Sequence, residues 1–85
     1  MKHIRVLGLG NSRHRQLTHN LENVVREMEL AVDVEQVMEV DKIISSGVGS
    51  IPAILLNGNV IFDGKVNPTR AELKAAIKRS LRQTH

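Results

Sequence analysis

Cysteine is absent from this 85-residue chain, and that omission removes disulfides, thiolate metal sites and thiol nucleophiles together. It leaves the redox compartment open. Tryptophan and tyrosine are missing as well, and Phe62 is the only aromatic residue, so the core is aliphatic and bases have no stacking platform. No apolar run approaches the ~20 residues of a membrane-spanning helix. Met1-Lys2-His3-Ile4 leads straight into a strand pattern without a signal peptide's apolar segment. The expectation is therefore a cytoplasmic protein with no membrane association. The charge imbalance is small: 12 lysines and arginines against 9 aspartates and glutamates give a net charge of +3. Lys74, Lys78, Arg79 and Arg82 gather near the C-terminus, but Glu72 interrupts them, and a solvated helix face explains them better than nucleic acid does.

What is present is an ordinary globular balance, 41% hydrophobic and 25% charged. Residues 1–85 are read as one domain, short enough to bury only about 60–65% of its unfolded surface. Ile4 to Leu9 is a near-continuous apolar run, as in a strand covered on both faces. From Arg13 to about Leu30, Leu17, Leu21, Val24, Val25 and Met28 recur at spacings of three and four on one face of a helix, with His14 on the same stripe one turn ahead of Leu17. Ala31 to Val37 tends toward period two and is read as a second strand. Val40, Ile43 and Ile44 suggest a short helix closed by Ser45-Ser46-Gly47.

Pro52 opens a strand, Ala53 to Leu56, since a first position need not donate to the ladder. Asn57-Gly58 then predicts a tight hairpin turn, and Asn59 to Phe62 returns antiparallel until Asp63-Gly64. Pro68 and Thr69 open the last helix, with Thr69 and Glu72 in capping-box spacing and Leu73, Ala76, Ile77 and Leu81 on its apolar stripe; Arg82 to His85 is expected to fray. The order is βαβαββα. Its crossover demands a parallel pair and its hairpin adds antiparallel edges, which gives an α/β fold with a mixed four-stranded sheet and three helices, the minimal thioredoxin-like architecture.

Three segments carry a closer resemblance: Ile4-Arg5-Val6-Leu7-Gly8-Leu9-Gly10, Gly47-Val48-Gly49-Ser50-Ile51-Pro52-Ala53, and Asn57-Gly58-Asn59-Val60 with Gly64-Lys65-Val66. Together they are similar to the small thioredoxin-like, glutaredoxin-sized redox-active disulfide proteins. The resemblance implies the fold, a groove between the first helix and Pro52, and a cis Ile51-Pro52 bond. It also places a Cys-x-x-Cys pair where this chain has Asn11 and His14. Dithiol exchange needs a thiolate that attacks a disulfide sulfur, and neither an amide nor an imidazole can do that. The oxidoreductase activity is therefore not carried over.

No catalytic residue, metal set or cofactor is assigned. The candidate binding groove comprises Gly10, Asn11, Ser12, Arg13, His14, Ile51 and Pro52. Asn11 and Ser12 are preferred helix caps, and a Ser12 nucleophile served by His14 lacks both direction and an orienting carboxylate. His14 is expected to be a partly buried, hydrogen-bonded histidine. Gly8-Leu9-Gly10 opens like a dinucleotide fingerprint, but Arg13 stands where the third glycine belongs. An anion site assisted by Arg13 or Arg15 is outweighed by two solvated arginines. The leading expectation is a redox-inactive binding or interaction domain that takes an extended peptide or protein partner at the Pro52 groove by strand addition. Its alternative is a non-thiol enzyme or a glutathione-type or anionic small-ligand binder in the same groove.

Overall fold

A computed structural model describes residues 2–64 and 68–83. The Lys65-Val66 part of the third matching segment and the end of the expected fraying tail fall outside them. Strand β1 spans Lys2–Leu7, helix α1 Ser12–Glu27, β2 Val32–Val37, α2 Val40–Ser45, β3 Ala53–Leu56, β4 Asn59–Phe62 and α3 Arg70–Gln83. The mixed sheet runs β2-β1-β3-β4, with β1 parallel to β2 and antiparallel to β3 and with β3 antiparallel to β4. The thioredoxin-like α/β architecture stands.

Two details differ from the sequence reading. β1 ends at Leu7 and not at Leu9: the Gly8 amide donates to the Val37 carbonyl as the last rung (3.0 Å), and the chain then leaves the sheet. Hydrophobicity had carried the strand through Leu9, which is in fact exposed. The hairpin also supplies only one edge, β4. All four residues of β3 are buried, which suits an interior strand flanked by β1 and β4.

Alternation along the central strands sorts the core into two layers. Ile4, Val6, Ile54 and Leu56 face α1 and α3, where they meet Leu21, Val24, Leu73 and Ile77. Wholly burying each such aliphatic side chain contributes about 1.5–3 kcal/mol. Leu7, Leu55 and Val37 point to the opposite face, where Ile43 of α2 and Val48 cover them. The rest of that face is polar, with Arg5 set 4.0 Å from Glu35 across the β1–β2 ladder. A cavity of about 560 Å³ opens there beneath α2, lined by Leu7, Val37, Leu55, Arg5 and Lys42 among others.

Local chemistry sets the ends. Asn57 and Gly58 both take positive φ, +50° and +86°, as the tight hairpin turn requires. At α3 the capping box closes both ways: the Thr69 amide donates to Glu72 Oε1 (2.9 Å) and the Glu72 amide to Thr69 Oγ1 (3.2 Å). α1 stops at Glu27, and Glu29 follows with φ +53°.

Glu27 also ties the two long helices, with Lys74 Nζ at 2.7 Å and Arg70 at 3.2 Å. The hydrogen bond and charge of Lys74 hold its carboxyl below the usual glutamate value, with Arg70 adding to the effect. The unfolded chain keeps the ordinary value, so this contribution is complete above the usual glutamate range and fades as pH falls through the lower folded one. An NMR titration is expected to find the Glu27 midpoint below the ordinary value and to see Lys74→Ala return it upward. An unmoved midpoint in that variant would rule Lys74 out as the cause.

Candidate functional site

The turn from β1 into α1 is built around a buried histidine. Asn11 is the N-cap of α1, and its Oδ1 accepts the His14 amide at 3.0 Å, which satisfies one of the helix's free donors. His14, at the third helical position, sends its ring back beneath the turn, where it is 0% exposed. Its Nδ1 accepts the Gly10 amide at 3.0 Å, and Nε2 lies 2.9 Å from the Val6 carbonyl. An amide can only donate and a carbonyl can only accept, so the two partners select the tautomer with the proton on Nε2. The sequence suggests partial burial. The ring is instead a core element, and Gly8 leaves it room: a β-carbon there would stand 2.6 Å from His14 Cγ.

Arg13 and Arg15 reach out from the same turn in different directions. Arg15 donates to the Gly10 carbonyl at 3.1 Å. Arg13 donates to the Gly64 carbonyl at 2.9 Å, bridging 51 positions of sequence. Gly64 in turn is pressed on the Pro52 loop, where a β-carbon would meet the Pro52 carbonyl oxygen at 2.6 Å and Ile51 N at 2.9 Å. The Ile51-Pro52 peptide is cis, and Pro52 is buried while Ile51 is half-buried. Arg13 and Gly64 are thus the link that brings the start of α1 and the Pro52 loop together.

The other candidate residues are placed less centrally. Ser12 is exposed and, with Arg13, Gln16, Leu17, Asn20 and Pro68, lines a cavity of about 400 Å³. It has no base in His14, whose ring nitrogens are both engaged elsewhere. Sequence reasoning missed Gly64 and Met38. Gly64 reads as the end of a strand and as part of the third matching segment, not as a contact of the Pro52 loop, and nothing in the sequence signals that Met38 Sδ comes within 2.9 Å of the place a Gly10 β-carbon would occupy. Among the described residues, no three histidine, aspartate or glutamate side chains converge as a metal set.

A strand-to-helix turn set against a proline loop on a β2-β1-β3-β4 sheet is the layout of a thioredoxin-like domain. Residues 2–78 match the thioredoxin domain family, and the chain belongs to it. It is 26% identical over 77 residues to a thioredoxin of Methanothermobacter thermautotrophicus, an alignment covering 91% of this chain and 99% of that protein. No solved structure matches the chain. No helix among the described residues is long and apolar enough to cross a membrane.

Proposed function

We propose that this chain is a redox-inactive thioredoxin-like domain, acting in the cytoplasm, that binds an extended segment of a protein partner. The segment lies in the groove between the α1 turn, Gly10 to His14, and Ile51-Pro52. The observation that carries this reading is the state of Ile51. No hydrogen bond joins it to another described residue, yet it sits half-buried at the joint held by Gly64 and Arg13. A main chain ordered in this way and left unpaired can accept an added strand. Nothing in that pairing requires a thiol.

Pull-down followed by titration of the captured partner into labelled protein tests the reading. Amide shifts are expected at residues 10–14 and at Ile51, with affinity falling at least about tenfold in Ile51→Asp, or 1.4 kcal/mol. A partner that binds Ile51→Asp unchanged would overturn the placement. In a disulfide-reduction assay the expected result is no activity, since exchange needs a thiolate.

A further inference from the structure

We propose that the segment taken at this corner is acidic, carrying a carboxylate beside an apolar side chain; this rests on the binding reading above and adds the chemistry of the partner. Leu9 is 61% exposed and Met38 51%. They are neighbours, because Leu9 adjoins Gly10 and the Met38 sulfur lies over Gly10. Two large apolar residues are thus exposed beside Gly10, at one end of the proposed groove. Such a pair rewards apolar contact and is tolerant about its shape, which methionine favours.

The charge beside this pair sets the preference. Arg15 lies on the Gly10 carbonyl and Arg13 on the Gly64 carbonyl, so a guanidinium stands at each end of the line from Met38 to Ile51. Among the described residues Arg15 has no carboxylate partner, Glu39 is taken by Lys42 at 3.2 Å, and Asp63, half-buried, is already engaged. Arg15 is therefore the group left for an incoming carboxylate, and a guanidinium can grip both its oxygens.

Two other occupants fit less well. A stable dimer interface takes about 20–30 residues a side, and the large apolar residues exposed among those described are Leu9, Met38, Val40, Ile44 and Val60. An anionic membrane surface would meet the exposed Asp41 beside Val40.

Fluorescent extended peptides with a central leucine flanked by glutamate, alanine or lysine test the preference. At about 10 mM salt, where screening is weak, the glutamate peptide is expected to bind about tenfold tighter than the lysine peptide. The margin should shrink as salt rises, Arg15→Gln should abolish it and Arg15→Glu should invert it. Equal affinity for all three peptides would overturn the acidic preference and leave the groove reading standing. No binding of any of them would overturn both. Self-association abolished by Leu9→Ser, or sedimentation with phosphatidylserine vesicles in place of peptide binding, would overturn it in favour of a second copy or a membrane.

Discussion

Gly64→Ala is expected to lower stability by about 2–5 kcal/mol, and the cause is two separate penalties at one position. Gly64 has φ +86°, a left-handed conformation that costs a residue with a β-carbon about 1–2 kcal/mol. The new methyl would also stand 2.6 Å from the Pro52 carbonyl oxygen and 2.8 Å from the Ile51 carbonyl carbon. These are backbone atoms and cannot swing aside as a flexible side chain would, so overpacking adds about 1–3 kcal/mol. For a domain of this size each kcal/mol moves Tm by about 4–8 °C. Gly47→Ala separates the two terms. Gly47 has φ +81° with nothing within 4 Å of its β-carbon position, so it should lose only the conformational term. Equal falls in Tm for the two variants would mean that Gly64 does not press on the Pro52 loop.

That comparison also shows where the sequence is legible and where it is not. Asn57-Gly58 and Thr69 with Glu72 announce a turn and a cap because their chemistry is satisfied within four residues of chain. The stripe from Leu17 to Val25 announces a buried helix face because periodicity is a local property. Gly64 and Gly47 each end an element and look alike in sequence. They differ only in what lies opposite, Pro52 and Ile51 for one and open space for the other, and long-range contact leaves no local trace. The candidate corner divides in the same way. Asn11 could be read as the cap of α1 from its position alone, whereas the span from Arg13 to Gly64 and the approach of Met38 to Gly10 depend on how the strands are ordered. Gly8 misleads outright. It reads as the opening of a dinucleotide fingerprint, but it makes room for a ring six positions on.

The second large effect follows from that room. His14→Ala removes a wholly buried ring and leaves the Gly10 amide and the Val6 carbonyl without the partners that Nδ1 and Nε2 provide. The cavity and the lost hydrogen bonds together should cost about 3–5 kcal/mol. Gly8→Ala alone should cost about 1–3 kcal/mol, because its methyl enters the space of His14 Cγ at 2.6 Å, Cδ2 at 2.9 Å and Nδ1 at 2.9 Å. If residue 8 is glycine because of the ring, the two losses are not additive: with the ring gone, an alanine methyl at position 8 points into vacated space. The double variant is then expected to be at least about 1 kcal/mol more stable than the sum of the single losses requires, measured by chemical denaturation of all four proteins. Additive losses would mean that Gly8 serves the turn alone. Coupling would instead mean that residues 8 and 14 pack as a unit, with an imidazole for the core and a glycine to admit it. The proposed binding surface at Leu9, Arg13, Arg15 and Ile51 would then rest on a rigid base.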